Sequence, residues 1–277
     1  MRTVAIVGVG LIGGSFGLAL KKAGFTGKIL GVSSPATLRV ALERGAVDEA
    51  ASLAEAAARA DLIYLAQPIG RILDTLHHLD PLVQPGALIT DAGSTKSAIV
   101  TTARRQVRRC AFLGGHPMAG KEKRGVSEAD AELFRGRTYV LTPEDSAQLE
   151  SPPVRELLEW LGRIGAVPVI LTPEEHDRIV AFTSHLPQLV STALAATVAE
   201  QAGDHLAVAG PGLADTTRLA LSPYELWRDI LATNNRPIEQ ALTAYITKLE
   251  HLRDNLRTRQ IESEFEIAAA LAATLRK

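Results

Sequence analysis

The stretch VAIVGVGLIGGSFGLALKK, residues 4–22, decides the fold. A short apolar run leads into Gly8, Gly10 and Gly13 at the spacing GxGxxG, and a helix-compatible segment continues towards Ala23. In a strand–turn–helix setting these glycines let a pyrophosphate reach the helix N-terminus, where unpaired amides and the helix dipole favour an anion. The absence of charge from Val4 to Leu20 superficially suits a signal peptide or a membrane span. Five glycines interrupt that run, no small-residue cleavage site follows, and it is short for spanning. It reads as a buried strand, a turn and a helix, with Gly8, Gly10, Leu11, Ile12 and Gly13 expected to hold a dinucleotide.

The same alternation extends outward. VAIV (4–7), ILGV (29–32), LIYLA (62–66), ALIT (87–90), AFLG (111–114), TYVLT (138–142) and VPVILT (167–172) read as strands separated by helical patterns. Most are followed by Gly, Pro, Ser or Asp, the residues of βα loops and helix caps, which predicts an α/β, Rossmann-type doubly wound sheet. After Leu171 the pattern becomes helical. Thr172-Pro-Glu-Glu175 carries a cap, a proline for the first turn and a glutamate for a capping box, and Ser222-Pro-Tyr-Glu225 repeats the device. The expected division is a dinucleotide-binding domain over 1–171 and an all-helical substrate-binding domain over 172–277, with no regulatory domain appended. Its tail from about 238 carries more apolar surface than one short domain buries, which predicts a homodimer built through this half.

Thirty Lys plus Arg against 31 Asp plus Glu leave a formal charge of −1, which points to neither nucleic acid nor membrane as partner. Arg104, Arg105, Arg108 and Arg109 suit the solvated end of a helix. The single Cys110 fits a reducing, cytoplasmic setting, and no metal site is expected.

Where an NAD-preferring fold places a carboxylate at the end of the second strand, this chain has Ser33. Ser33, Ser34 and Thr37 supply hydroxyls and Arg39 a countercharge, which favours NADP over NAD. LAQP (65–68) and DAGSTKS (91–97) end the next two strands, so Gln67, Pro68 and Ser94 are expected near the nicotinamide. Ser94 serves equally well as the cap of the helix behind it. GGHPMAG (114–120) reads as a loop in which glycines allow close approach and Pro117 freezes the pose of His116, although a solvated turn explains it as well. His185 in SHLPQ (184–188) is either a core residue or a ligand-binding one. Arg218, amid Leu219, Ala220 and Leu221, needs a partner, either Asp215 or a substrate carboxylate.

In this order and over nearly the whole chain, GVGLIGGS, DAGSTKS, GGHPMAG, SHLPQ and DTTRLA with SPYELW resemble the prephenate/arogenate (cyclohexadienyl) dehydrogenases of tyrosine biosynthesis. The resemblance implies oxidative decarboxylation of a cyclohexadienyl acid with hydride transfer to NAD(P). It implies His116 as the base on the ring hydroxyl, Ser94 touching the same hydroxyl, and His185, Arg218 and Trp227 in substrate binding. One departure stands out. Relatives commonly carry Lys or Arg four residues before the clamping arginine, and this chain has Ala214, which leaves Lys121, Lys123 or Arg124 to supply that cation and prephenate versus arogenate open. Two other readings share parts of the pattern. A β-hydroxyacid-type dehydrogenase would use a lysine in the helical half, where this chain offers His185. A non-catalytic NAD(P) sensor would need neither a proton acceptor nor a carboxylate clamp.

Overall fold

The computed structural model describes residues 1–121 and 123–276. The first half runs β1 (Thr3–Val7), α1 (Leu11–Lys22), β2 (Lys28–Val32), α2 (Pro35–Glu43), β3 (Glu49–Ala50), α3 (Leu53–Arg59), β4 (Leu62–Leu65), α4 (Ile69–Leu79), β5 (Leu88–Asp91), α5 (Ser97–Gln106), β6 (Ala111–Pro117), β7 (Thr138–Thr142), α6 (Pro152–Arg163) and β8 (Val167–Ile170). The strands form one sheet of order β3-β2-β1-β4-β5-β6-β7-β8, parallel except between β6 and β7. The expected doubly wound sheet is therefore present, with β3 added at its edge. Helices cover both faces, so β1 is apolar from Val4 to Val7: Val4 and Ile6 enter one core layer, Ala5 and Val7 the other. On the first face Phe16 stacks on Tyr64 at 4.1 Å, which seats α1 against β4.

GGHP corrects the loop expectation. His116 and Pro117 belong to β6, whose first residues pair in parallel with β5 and whose last four pair antiparallel with β7, His116 facing Val140. The two glycines serve packing rather than turning. A Cβ on Gly114 would sit 2.2 Å from Thr142 Oγ1, and one on Gly115 2.6 Å from the Asp91 carbonyl oxygen. Only hydrogen fits there, and the strand can then lie against the end of β5.

The second half contains α7 (Pro173–Val180), a π-helical turn Ala181–His185, α8 (Leu186–Ala202), α9 (Pro211–Thr217), α10 (Tyr224–Thr233), α11 (Asn235–Asp254) and α12 (Glu262–Leu275). Thr172 caps α7 with the expected capping box, Thr172 Oγ1 accepting from Glu175 N at 3.2 Å. Pro187 lacks an amide hydrogen and its ring would crowd the Thr183 carbonyl, so the widened turn before it has a local cause. Ser222 does not cap α10. Its hydroxyl accepts from Trp227 Nε1 at 2.9 Å instead.

Two aspartates of the helical half close helix ends of the sheet half. Neither α4 nor α5 has a side-chain cap of its own. Asp229 Oδ2 accepts the Gly70 amide at 2.9 Å, and the Asp177 carboxylate accepts the amides of Lys96 at 2.7 Å and Ser97 at 2.9 Å. Ser94 therefore does not cap α5, which starts three residues after it. Replacing Asp229 by Ala should lower stability by about 0.5–2 kcal/mol, the range for a lost N-cap. Urea unfolding should show a reduced midpoint at unchanged slope, and an unaltered midpoint would mean that water replaces this cap at no cost.

Candidate active site

A cleft of about 740 Å³ opens at the carboxyl ends of β1, β2 and β4, where the strand order reverses. Gly8, Gly10, Ser33, Ser34, Gln67 and Pro68 line it, as do Thr37, Arg71, His78 and Val126. The three motif glycines have separate causes. Gly8 has φ +93°, Gly13 packs so tightly that a Cβ would meet the Gly8 carbonyl at 2.2 Å, and a Cβ on Gly10 would meet nothing within 4 Å. The space at Gly10 is the approach a diphosphate needs. The first helical bond of α1 runs from Gly14 N to Gly10 O, so the amides of Leu11, Ile12 and Gly13 lie ahead of the ladder and remain for a ligand. Leu11 and Ile12 pack their side chains against the core, not into the cleft. A dinucleotide fits this cradle.

At the ribose end, Ser34 is occupied as the cap of α2, accepting from Thr37 N at 3.3 Å. Arg39 lies on the outer face of α2 beside Leu42 and Glu43, outside the cleft. Arg71 is the arginine that lines the cleft, 3.8 Å from Asp74.

Beyond the cleft the end of β6 meets α7. His116 Nδ1 lies 2.8 Å from His176 Nε2, and His176 Nδ1 lies 2.8 Å from Asp177 Oδ1. Under them Lys96, fully buried, pairs through Nζ with Asp91 and donates to the Gly115 carbonyl at 2.7 Å, while Asp91 Oδ1 accepts the Gly115 amide at 3.1 Å. Lys96 and Asp91 thus grip the backbone immediately before His116. Sequence reasoning missed His176, Asp177, Asp91 and Lys96 as parts of the site. The signal was available in α7, whose buried residues are Pro173, His176, Asp177 and Val180. At that helical spacing two titratable side chains occupy the stripe that should be apolar.

Electrostatics keep this cluster in defined states. Burial holds His116 well below the usual histidine range, and the neighbouring His176, Lys96 and His185 push the same way, so it is a neutral imidazole. Burial pushes the Asp177 carboxyl up, but hydrogen bonds from His176, Lys96 and Ser97 outweigh it and hold the group below the usual value. Burial also lowers His185 to about 4, against the pull of Asp177.

His185 is buried. Asn234 Nδ2 donates to the Asp177 carbonyl at 2.8 Å and lies 3.1 Å from His185 Nδ1. The amide nitrogen can only donate, so His185 Nδ1 accepts and its Nε2 carries the hydrogen. Trp227 stands edge-on to His185 at 5.9 Å, which brings these two candidates together. Ser94 sits in the half-buried loop just before Thr95, whose hydroxyl meets that of Thr233 at 2.8 Å. Arg218 is exposed at the start of a 3-10 turn, Arg218–Leu221, fastened to α8 by Gln188 Nε2 donating to Leu219 O at 2.9 Å and by Ser191. Lys121 is held by Asp130 at 2.8 Å, and Lys123 and Arg124 are exposed.

The depressed histidines make a prediction with a definite sign. An unfolded His185 takes a proton below its ordinary 6.5, whereas the folded one refuses it until about 4, so stability falls as pH drops through that interval. The carboxylates act in the same direction but lower down. The urea midpoint should therefore already be reduced at about pH 5 relative to about pH 7. An unchanged midpoint would show that the folded protein protonates His185 as readily as the unfolded chain.

The fold and cleft define a Rossmann-type nucleotide-binding protein with a helical second domain. The profile of the prephenate dehydrogenase nucleotide-binding domain matches residues 16–169, and that of its dimerization domain residues 172–273. The chain belongs to the prephenate dehydrogenase family. It is 38% identical to prephenate dehydrogenase of Lactococcus lactis over 240 residues, an alignment covering 84% of this chain and 65% of that protein, just under two-thirds of its length. The structure of prephenate dehydrogenase from Aquifex aeolicus in complex with hydroxyphenyl propionate and NAD+ is similar at TM-score 0.88 and 30% identity, covering 100% of this chain and 97% of that one. The Synechocystis arogenate dehydrogenase is similar at TM-score 0.81 and 34% identity, covering 99% of each chain.

Proposed function

We propose that the protein is an NAD(P)-dependent dehydrogenase of tyrosine biosynthesis that oxidatively decarboxylates prephenate, arogenate or both. The observation that carries this reading is the placement of His116 on the part of β6 that continues past β5, 2.8 Å from His176 and just beyond the Gly115 backbone that Lys96 and Asp91 hold. Bound oxidised nicotinamide would accept the hydride. His116 takes the proton of the ring hydroxyl as the C–H electron pair departs, and an imidazole suits this work because its neutral form is already present. The ring carboxylate then leaves as carbon dioxide, its bonding pair completes the aromatic ring, and the proton returns to the ring oxygen. Ser94 orients the hydroxyl. Arg218 clamps a carboxylate with paired donors, and His185 Nε2–H and Trp227 complete the substrate side. Against a β-hydroxyacid enzyme, the buried lysine of the described residues, Lys96, belongs to the sheet half and is committed to Asp91.

NADP is the favoured cofactor in this proposal. No carboxylate stands at the end of β2 to repel a 2′-phosphate, Ser33 and Thr37 face the cleft, and Arg71 takes the countercharge role first given to Arg39. Incubation with prephenate and with arogenate, each with NAD and with NADP, should raise reduced-nicotinamide absorbance, fastest with NADP; no reduction in any combination would refute the enzyme. His116→Asn should cut turnover by about a hundredfold or more while cofactor affinity stays intact, and unchanged turnover would remove His116 from the chemistry.

A homodimer formed through the helical half accounts for its surface. The run Pro173–Val208 is long and apolar enough to cross a membrane by length and composition, with 28% of its most apolar window buried. Yet the residues of α8 that are buried are Gln188 and Ser191, and α12 buries none. Leu221 is 82% exposed, Phe265 68% and Leu275 77%. Apolar surface on this scale calls for a partner, and a second copy is the one consistent with a dimerization domain. Light scattering at micromolar concentration should give twice the chain mass, and a monomer mass would contradict this.

A further inference from the structure

If His176 and His116 are both uncharged imidazoles, the contacts between Asp177 and His116 admit one consistent placement of protons. An ionised carboxylate only accepts, so the 2.8 Å contact from Asp177 Oδ1 puts a hydrogen on His176 Nδ1. With that hydrogen in place a neutral His176 has its lone pair on Nε2 and must accept there. The atom 2.8 Å away is His116 Nδ1, which therefore carries the hydrogen of its own ring. Nε2 of His116 is left with the lone pair, and among the described residues it has no hydrogen-bond partner. A free imidazole side chain prefers the opposite arrangement, with hydrogen on Nε2, so the surroundings impose this one.

Those surroundings are rigid. His176 is 0% exposed and Asp177 2%, which shuts out water that could reverse the donors. The carboxylate is aimed by two further bonds, from the backbone amides of Lys96 and Ser97, and those amides cannot accept in return. We propose that His176 and Asp177 are positioning residues that set the tautomer of His116 and so make Nε2 its basic nitrogen. The proposal rests on the reading of His116 as the base. It adds that the helical half chooses which of the two ring nitrogens is basic, the role an orienting carboxylate plays for a catalytic histidine elsewhere.

The test reads the tautomer directly and does not depend on turnover. Nitrogen-15 NMR of the labelled full-length protein, with the His116 signals identified by their loss in His116→Asn, should show a protonated, pyrrole-type Nδ1 and an unprotonated, pyridine-type Nε2. His176→Phe removes the acceptor but keeps Asp177 free to cap α5, so the fold should persist. In it the His116 hydrogen should move wholly or partly to Nε2, with turnover down about tenfold or more and cofactor affinity unchanged. Asp177→Asn, which keeps the shape but lets the amide donate or accept, should give a mixture of the two tautomers. Hydrogen on Nε2 in the unaltered protein would overturn the proposal, as would an unchanged His116 tautomer in a folded His176→Phe protein. An unaltered protein with the expected tautomer but no activity on either substrate would refute the dehydrogenase reading and leave the tautomer assignment standing. An active protein with hydrogen on Nε2 would do the reverse.

Discussion

The carboxylate of Asp177 is the constraint on which the site depends. It lies in the helical half, yet it caps α5 of the sheet half through the amides of Lys96 and Ser97 and holds His176 through its ring nitrogen. A buried charge is tolerated only when several donors replace its water, and three do so here. The same donors that make burial bearable keep the group ionised, and an ionised group can only accept. Its charge state, the start of α5 and the orientation of His176 are therefore one decision. Asp229 repeats the arrangement at α4, so the loops after β4 and β5 both end in helices closed from the other half.

A second buried pair acts beneath the first. Lys96 and Asp91 are fully buried together and hold both the amide and the carbonyl of Gly115. Such a pair is weak evidence for stability, since desolvation offsets its attraction. Its effect is geometric. It draws the end of β6 against the end of β5, which is where Gly114 and Gly115 have no room for a side chain, and it leaves His116 as the next residue outward. The imidazole is then fixed from below by Lys96 and Asp91 and from the side by His176. A group positioned from two directions keeps its pose without substrate, which lowers the ordering cost of each turnover.

Local chemistry made most of the fold legible in the sequence. GVGLIGG announced the nucleotide cradle because each glycine solves a local problem, and the apolar strands announced a sheet buried on both faces. β3 was illegible because two residues carry no period. The interactions that sequence reading misassigned are those formed across the chain. GGHP looked like a loop because its strand partner, β7, begins more than twenty residues later. Ser94 and Ser222 looked like caps, but their helices start with Asp177 supplying one cap from far away and with no side-chain cap at the other. Thr172-Pro-Glu-Glu175 announces its capping box, which is present, while the next two residues, His176 and Asp177, lie against His116 and the start of α5. They were legible as polar residues on a buried helical stripe. Arg39 and Arg71 could not be told apart without knowing which face of each helix borders the cleft.

If Asp177 organises both halves, its loss should be felt first where it caps. Amide hydrogen exchange in the resting protein, compared between the unaltered chain and Asp177→Ala, measures this most directly. The account predicts that exchange at Lys96 and Ser97 accelerates by at least tenfold, a loss of about 1.4 kcal/mol of local protection, while amides of β1 and β4 keep theirs. Equal protection of Lys96 and Ser97 in the two proteins would contradict it, because α5 would then begin without help from the helical half.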